Sequence, residues 1–497
     1  MQLSTELSPK TRELIGDGCM LIGGTWSKGR GDDLVSVNPA TGASIASIAS
    51  ASSSQVEMAI SAARDHFDNG QWPRISPIER ASFLRRFADE LIRHRDELAE
   101  IVVWESGIPV REAPSRVDIA IEHTLWFAGK AEVGPRDGWD QELPQHLVDP
   151  SGRSRVTRQP IGVVAALTPY NVPYMTTVWK VVGALAAGCT TIFMPSARAQ
   201  LSGLAFARCI SRSGLPSGCF NLVLGGPTAG EQLSTSQFVD MFSFTGSDRV
   251  GSLVSKQAST NFKKLVLELG GKSPNIILPS ADLPKVVKGS ILRFCRNAGQ
   301  ACGATTRIFV PKLRYAEFCA SAREVIEALK VGDPWSEDTD VGPLISSEHR
   351  DRVQAFVDRA VEDGATIEAG GGRPDRAGGF FMNPVLVGNV SNDSEIAQEE
   401  LFGPVAVIIP YETVEEAIRL ANQTRYGLNA SVWGDLDEAI NVARRLRSGG
   451  VSVNGGGPIR PDAPFGGFKS SGVGRELGDE GFEQFLQTKH INYRELM

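Results

Sequence analysis

Short apolar runs alternate with helical segments from Ile161 onwards, and this alternation constrains the fold more than any other feature of the chain. Such runs are too short for buried helices and are typical of strands covered on both faces. Strands that alternate with helices predict an open parallel sheet flanked by helices. The runs of this unit are IGVVAAL (161–167), CTTIFM (189–194), CFNLVL (219–224) and DMFSF (240–244).

The same alternation starts again around residues 265–275 and continues to about residue 470, which predicts a second α/β unit. Between residues 131 and 158 the chain is rich in Pro, Gly and Asp and then becomes strand-like, as in an excursion from the main body. Two adjacent α/β units indicate a nucleotide-binding domain and a catalytic domain with a cleft between them. At roughly 100–200 residues per domain, 497 residues allow two or three domains.

Charge and composition exclude several classes of protein. The net charge is −7 and no basic stripe is visible, so we expect no nucleic-acid partner. No run approaches the ~18–20 apolar residues of a membrane span, and the N-terminus lacks an export signal, so we expect a cytoplasmic protein. The seven cysteines are irregularly spaced, without a C-x-x-C pair or clustered histidines, so we expect neither a disulfide framework nor a metal site.

Four segments contain residues that are unusual for a purely structural role. In LTPYNVPY (167–174) two prolines fix a turn at a strand end, and the Asn171 amide could donate to an oxyanion. The alternative is a turn asparagine that bonds its own backbone. In FTGSDRVG (244–251) Ser247 is a candidate N-cap where a pyrophosphate could bind, although an ordinary capped helix fits equally well. GGPTAG (225–230) adds a second glycine-rich turn on that side of the sheet.

The third segment, LELGGKSPN (267–275), contains GKS but is not a P-loop, because Val266 replaces the required glycine and Pro274 follows at once. Glu268 remains as a carboxylate at an apolar strand end, where burial would raise its pKa and suit it to be a general base. The alternative is a carboxylate that caps or pairs at a domain boundary.

The fourth segment, CRNAGQACGATTR (295–307), places Cys302 among small residues that leave room for a substrate carbon. The alternative for a lone cysteine is a buried small apolar side chain, and Cys295 is the competing thiol.

Together and in this order, these segments resemble the aldehyde dehydrogenase superfamily over nearly the whole chain. Further motifs that carry the resemblance are GGTW (23–26), NPATG (38–42), EELFGPV (399–405), NASVWG (429–434), VSVNGGG (451–457) and PFGGFKSSGVGRELG (464–478). The resemblance implies an α/β fold with two Rossmann-like open-sheet domains and a small β oligomerisation arm. The implied boundaries are 1–130 with 159–269 for the cofactor domain, 270–470 for the catalytic domain, and 131–158 with 481–497 for the arm. A homodimer, or a tetramer built from dimers, is then expected.

The resemblance also implies the chemistry. Cys302 would attack the aldehyde carbon while Asn171 and the Cys302 N–H hold the oxyanion. Hydride transfer to NAD(P)+ would leave a thioester, and Glu268 would activate the water that releases the carboxylic acid. Lys180 matches a lysine near the proton path. Both a thiolate and a positioned base are expected.

Position by position, the resemblance assigns two further groups of residues. The expected substrate residues are Trp179, Arg296 and Phe465. The expected cofactor residues are Thr168, Pro169, Tyr170, Ser196, Gly226, Gly230, Phe244, Gly246, Ser247, Leu269, Gly270, Glu400 and Phe402.

Three departures from the family pattern affect specificity. Met194 and Ala197 replace the lysine and glutamate that usually hold the adenosine ribose, so NAD+ is favoured but NADP+ stays open, with Arg198 adjacent. Tyr170 conservatively replaces a tryptophan. Arg296 replaces an aromatic residue, which favours a polar or acidic semialdehyde, unless Arg296 pairs with Asp462 or another acidic neighbour.

Two rival functions stay open. A CoA-acylating aldehyde dehydrogenase would resolve the thioester with CoA, but it would not need the base Glu268. A non-catalytic binding or structural descendant is compatible with the altered ribose-binding positions. The presence of the three expected catalytic residues, Cys302, Glu268 and Asn171, argues against it.

Overall fold

Two open sheets flanked by helices form the body of the computed structural model, which describes residues 2–149, 151–376 and 378–494. Residues 150 and 495–497 of the expected arm lie outside the described residues. The strands are β1 (Gln2–Leu3), β2 (Met20–Ile22), β3 (Thr25–Ser27), β4 (Asp33–Val37), β5 (Ser44–Ala49), β6 (Asp140–Glu142), β7 (Arg153–Pro160), β8 (Val163–Thr168), β9 (Thr190–Pro195), β10 (Phe220–Leu222), β11 (Met241–Thr245), β12 (Lys264–Glu268), β13 (Pro274–Ile277), β14 (Arg307–Pro311), β15 (Thr366–Gly370), β16 (Val385–Gly388), β17 (Val405–Tyr411), β18 (Asn429–Trp433), β19 (Gly450–Val453), β20 (Gly472–Val473) and β21 (Leu486–Tyr493).

Helices cover both faces of these sheets. They are α1 (Pro9–Ile15), α2 (Ser53–Asn69), α3 (Pro77–Arg93), α4 (Arg95–Ser106), α5 (Ala113–Val133), α6 (Pro173–Thr177), α7 (Gly183–Ala187), α8 (Gln200–Arg212), α9 (Pro227–Thr235), α10 (Asp248–Ala258), α11 (Leu283–Cys295), α12 (Tyr315–Ala328), α13 (Ser347–Glu362), α14 (Glu395–Gln398), α15 (Val414–Asn422), α16 (Leu436–Ala443) and α17 (Gly478–Phe482).

The first sheet has six strands in the order β10-β9-β8-β11-β12-β20. All neighbours are parallel except β20, which runs antiparallel to β12. Strands β8 and β9 are buried along their whole length, as their apolar sequences predict. In a parallel sheet the carboxyl ends of the strands meet at one edge, which is where ligands bind in open α/β folds.

The second sheet has seven strands in the order β15-β16-β17-β14-β13-β18-β19. Only β15 is antiparallel, to β16. Each large sheet has its own apolar core, so the prediction of two open-sheet α/β units is confirmed.

A separate antiparallel sheet of order β21-β7-β6, here called the arm sheet, joins the excursion after α5 to the end of the chain. Two small sheets near the N-terminus, β1-β5-β4 and β2-β3, lie outside the large sheets. None of the helices in the described ranges is long and apolar enough to cross a membrane.

Candidate active site

The carboxyl ends of the strands in the six-stranded sheet carry most of the residues expected to bind the cofactor. Thr168 ends β8, and Pro169 and Tyr170 follow it. Ser196 follows β9, Gly226 follows β10, and Gly246 with Ser247 follows β11. Glu268 ends β12, and Leu269 and Gly270 come directly after it. Because these strands are parallel neighbours, all these residues lie at one edge of the sheet.

Cys302 lies in a turn between α11 and β14, and this turn has an unusual backbone. Asn297 and Ala298 both have a φ of 52°, in the left-handed region that residues other than glycine seldom adopt. Cys302 is partly exposed, whereas Cys295 is buried. Within the described residues, the Cys302 N–H makes no backbone hydrogen bond, so it is available to an oxyanion.

The nucleophile turn is in close contact with the chain that follows β12. A side-chain carbon at Gly271 would lie 2.6 Å from the Cys302 carbonyl oxygen, so only glycine permits this approach. The segment after Glu268 therefore fixes the position of Cys302.

Burial raises the pKa of the Cys302 thiol to about 12, and the carboxyl groups of Glu400 and Glu268 act in the same direction. The N–H groups of Gly303 and Cys302 oppose this shift. In the ligand-free protein these surroundings favour the protonated thiol, so the expected thiolate stays a prediction.

Asn171 is buried and faces the nucleophile turn. Its Nδ2 donates to the Gln300 carbonyl at 2.8 Å, and Asn297 Nδ2 donates to the Asn171 carbonyl at 3.2 Å. The Tyr170 hydroxyl donates to Gln300 Oε1 at 3.1 Å. The Asn171 amide has a second N–H, which can serve a substrate oxygen while the first anchors the turn.

Glu268 is 2% exposed, and neither of its carboxyl oxygens has a hydrogen-bond partner within the described residues. Burial raises its pKa well above the usual value, and the nearby Glu476 carboxyl acts in the same direction, while Lys180 and Arg475 oppose them. The alternative of a capping or ion-paired carboxylate is wrong, because Glu268 neither caps a helix nor forms an ion pair in the described ranges.

Lys180 is fully buried behind Glu268. Its Nζ donates to the Glu476 carboxylate and, at 3.3 Å, to Ser243 Oγ. Glu476 is 3% exposed and its second oxygen has no partner in the described chain. Burial raises the pKa of Glu476, and Lys180 opposes this shift. Glu476 and Lys180 both affect the pKa of Glu268, so the three side chains form one electrostatically linked, buried cluster.

The residues at the sheet edge fit a dinucleotide cofactor. Ser247 caps α10 as predicted, with its Oγ accepting from the Val250 N–H at 3.4 Å, so the remaining N-terminal N–H groups of α10 can face a pyrophosphate. At Gly226, which precedes α9, a side-chain carbon would meet nothing within 4 Å, so there is room for a ligand. A side-chain carbon at Gly230, one turn into α9, would contact the side chains of Met194 and Leu167.

Glu400 and Phe402 reach this edge from the unit of the seven-stranded sheet. Glu400 Oε1 accepts from the Gly271 N–H at 3.0 Å, and its carboxyl lies so close to Gly270 that a side chain there would collide with it. Burial raises the pKa of Glu400 to about 7. The rings of Phe402 and Tyr170 meet edge to face at 6.2 Å.

Two of the expected substrate residues, Trp179 and Phe465, lie side by side, and the third, Arg296, lies at the nucleophile turn. The Trp179 ring lies 5.1 Å from the Phe465 ring, and its Nε1 donates to His123 Nδ1 at 2.8 Å. Arg296 is exposed at the base of the nucleophile turn. It forms no ion pair within the described residues, and Asp462 instead pairs with Arg460 at 2.7 Å, so the pairing of Arg296 with Asp462 is wrong.

Sequence reasoning missed two residues that organise the site. Gln300 connects the nucleophile turn to Tyr170, Asn171 and the Ile345 N–H, and its place two residues before Cys302 could have drawn attention to it. Glu476 lies in the GRELG motif, but only the pairing of β20 with β12 brings it near Glu268, and no local signal reveals that pairing.

The chain matches the model of the aldehyde dehydrogenase family over residues 26–491. It is 39% identical over 477 residues to a 3-succinoylsemialdehyde-pyridine dehydrogenase of Pseudomonas sp, covering 95% of this chain and 97% of that protein. A crystal structure of betaine aldehyde dehydrogenase from Staphylococcus aureus in complex with NAD+ superimposes with a TM-score of 0.94 at 34% identity, covering 98% of this chain and 97% of the other.

A mutant of aldehyde dehydrogenase C from Pseudomonas syringae, in complex with NAD+ and octanal, gives a TM-score of 0.92 at 38% identity, with 98% of each chain covered. The match of the family model over most of the chain and the similarity to these proteins agree with the geometry of the site. The chain belongs to the aldehyde dehydrogenase family.

Proposed function

We propose that this protein oxidises an aldehyde to the carboxylic acid with NAD+ through a thioester on Cys302, which water hydrolyses. The observation that carries the hydrolytic step is Glu268, a buried carboxyl with two unpaired oxygens close enough to Cys302 to raise the pKa of its thiol. A carboxylate in such a position can take a proton from the thiol or from water.

Each residue of the proposed active site has its own role in the reaction. Cys302 Sγ forms the bond to the aldehyde carbon after losing its proton, and the Cys302 N–H with the free N–H of Asn171 stabilises the oxyanion. When bound, NAD+ supplies a hydride acceptor. Glu268 then takes a proton from the water that attacks the thioester. Glu476 and Lys180 lie close enough to shift the pKa of Glu268 in opposite directions, and so they affect how readily Glu268 loses that proton.

The cofactor would be held by the N-terminus of α10, the turns at Ser196 and Gly226, and the carboxyl of Glu400. NAD+ is favoured over NADP+ because Met194 is 7% exposed and uncharged, so it offers no cation to the 2′-phosphate of NADP+. Ala197 offers no hydrogen bond to the ribose of either cofactor. Two relatives of known structure were crystallised with NAD+. Arg198 is exposed, so a 2′-phosphate would not be strongly repelled.

The substrate would be an aldehyde with an anionic or polar group. Arg296 is exposed and unpaired in the described part of the chain, and it lies close enough to Arg293 to lower the pKa of that guanidinium, although burial has the larger effect. Two neighbouring cations attract a carboxylate and repel a quaternary ammonium or amino group. The names of relatives include both succinate-semialdehyde and betaine aldehyde dehydrogenases.

The two α/β units would have different roles. Residues 1–130 and 159–269 would bind the cofactor, and residues 270–470 would supply the nucleophile. The arm formed by 131–158 and 481–497 would join copies of the chain into a homodimer or a dimer of dimers.

A panel of aldehydes assayed with NAD+ and with NADP+, with and without CoA, tests this proposal. We expect NAD+ reduction in the absence of CoA, with the free acid as product. Absence of turnover on all aldehydes, or a requirement for CoA, would contradict the hydrolytic mechanism.

The substrate class is tested by comparing succinic semialdehyde with butanal in the wild type and in Arg296→Phe. A charge-assisted bond to the substrate carboxylate is worth ~1.5–3 kcal/mol, so the mutant should lose about 10- to 150-fold of the preference for the acidic aldehyde. The same preference in both proteins would show that Arg296 does not select the substrate, while leaving the reaction itself unaffected.

A further inference from the structure

Three consecutive residues, Glu400 to Phe402, are held by two other parts of the chain, Gly271 and helix α13. Glu400 Oε1 accepts from Gly271, the Leu401 carbonyl accepts from Arg352 Nη2 at 2.8 Å, and the Phe402 carbonyl accepts from His349 Nε2 at 2.7 Å. His349 and Arg352 lie one turn apart on α13, so one helix face binds two successive carbonyls.

Phe402 needs such support because its backbone is strained. Its φ is 58°, in the left-handed region that a bulky side chain seldom adopts. Strained residues of this kind persist only where the surrounding contacts hold them, and they are frequent at ligand sites.

We propose that His349 is a positioning residue for the cofactor, which acts by binding the Phe402 carbonyl and so keeps the Phe402 ring against Tyr170 before any ligand arrives. This proposal rests on the proposed function, because it takes Phe402 as a contact of the nicotinamide half of NAD+. Within the described residues, His349 forms no hydrogen bond with Cys302, Glu268 or Asn171.

The hydrogen bonds of His349 define its protonation state. Its Nδ1 faces Arg352 Nη2 at 3.5 Å and its Nε2 faces the Phe402 carbonyl, so Nδ1 accepts and Nε2 carries the proton. Burial lowers the pKa of His349 to about 4, Arg352 and Arg198 act in the same direction, and the Phe402 carbonyl opposes them. The imidazole is therefore neutral, and the same donor is present throughout the neutral pH range.

The position of this segment also affects the nucleophile turn. Gly299 packs so closely on the Gly403 carbonyl that a side chain at Gly299 would collide with it. Gly403 in turn faces Val353 of α13, where an added carbon would lie 2.7 Å from the valine side chain. A shift of Phe402 would therefore reach both the cofactor cleft and the turn that carries Cys302.

Three variants test the proposal. His349→Leu removes the donor, and His349→Gln places an amide N–H at a similar reach. Gln354→Leu is a control on the same helix, since the Gln354 side chain bonds only Asp358 in the described part of the chain. Hydrogen–deuterium exchange of peptides covering residues 399–405 without ligand, and calorimetric titration with NAD+, report on positioning without turnover. The KM for NAD+ and kcat are measured on the aldehyde that the wild type oxidises best.

His349→Leu loses one hydrogen bond to a buried carbonyl. Its segment 399–405 should exchange about 10-fold faster than in the wild type, and its Kd for NAD+ should rise about 10-fold. In His349→Gln both quantities should stay within about threefold of the wild type. Gln354→Leu should match the wild type in both. Melting temperatures measured in parallel identify a variant that fails to fold. If His349→Leu does not fold, the proposal is tested by comparing His349→Gln with the wild type.

Unchanged exchange and NAD+ affinity in a folded His349→Leu would overturn the proposal, as would a folded His349→Gln that behaves like the leucine variant. If the wild type oxidised no aldehyde, the proposed function would fail, but exchange and calorimetry would still measure the effect of His349.

Discussion

Burial shifts the thiol of Cys302 and the carboxyl of Glu268 towards their protonated forms. Each group therefore becomes reactive only when it loses its proton, and the two interact strongly enough for one to affect the ionisation of the other. A thiol with a raised pKa is a strong nucleophile once ionised, and it is inert towards stray electrophiles until then.

Cys302→Ala should abolish aldehyde oxidation while leaving the fold and NAD+ binding intact, because a small, partly exposed thiol contributes little packing. The measurement is turnover together with calorimetric titration of NAD+. More than a trace of remaining oxidation would show that another thiol is the nucleophile. Cys295 is the next candidate, although it is 1% exposed and burial raises its pKa well above the usual value.

Glu268→Gln should stop the reaction after the hydride step, since an amide cannot take a proton from water. We expect a burst of one NADH per active site followed by turnover that is ~10²–10⁴-fold slower than in the wild type. The wild-type steady-state rate should keep rising with pH above the range in which a carboxyl usually ionises, because the pKa of Glu268 is raised and the carboxyl must ionise to act. The loss of the burst in Glu268→Gln would instead show that Glu268 activates Cys302.

Glycines control the contact between elements around the site. Gly271, three residues after β12, lies against the nucleophile turn. A side-chain carbon there would be 2.6 Å from the Cys302 carbonyl oxygen. By contrast, a carbon added at Gly129 on α5 would meet nothing within 4 Å.

Gly271→Ala should therefore displace the nucleophile turn and lower kcat/KM on the order of 10²-fold, since a shift of about 1 Å at a reacting atom has such effects. Gly129→Ala should keep full activity and stabilise the fold by roughly 0.5–1 kcal/mol, because alanine replaces glycine inside a helix. The measurements are kcat/KM and thermal unfolding of both variants. Full activity in Gly271→Ala would show that the turn can adjust without cost.

Elements with strong periodicity were predictable from the sequence, and so were the residues directly attached to their ends. The helix cap at Ser247 and the strand-end position of Glu268 follow from local pattern alone. The amphipathic pattern of residues 77–106 predicts one long helix, but the structure has two, α3 and α4. They meet at His94, where neither Pro nor Gly signals a break. Gln300 and Glu476 acquire their roles from partners more than one hundred residues away, which periodicity does not encode.

At the scale of the whole molecule, edge strands are candidate surfaces for contact with another chain. β19 ends the seven-stranded sheet and β6 ends the arm sheet, and in the described part of the chain neither pairs with a strand on its outer side. The loop between β6 and β7 also exposes Leu147 (97%) and Val148 (87%) to solvent. Apolar side chains next to an open edge are typical of surfaces that another chain covers.

The exposed arm residues give a test of assembly. If the arm joins copies of the chain, light scattering of the wild type should give the mass of a dimer or tetramer, and Leu147→Ser combined with Val148→Ser should shift it to a smaller species. Leu313→Ser is the matched control, because Leu313 is 99% exposed but precedes α12, which lies outside the arm sheet. The control should keep the wild-type mass, since one isolated exposed leucine forms no patch. A monomeric wild type, or equal masses for all three proteins, would show that these arm residues do not hold an assembly together.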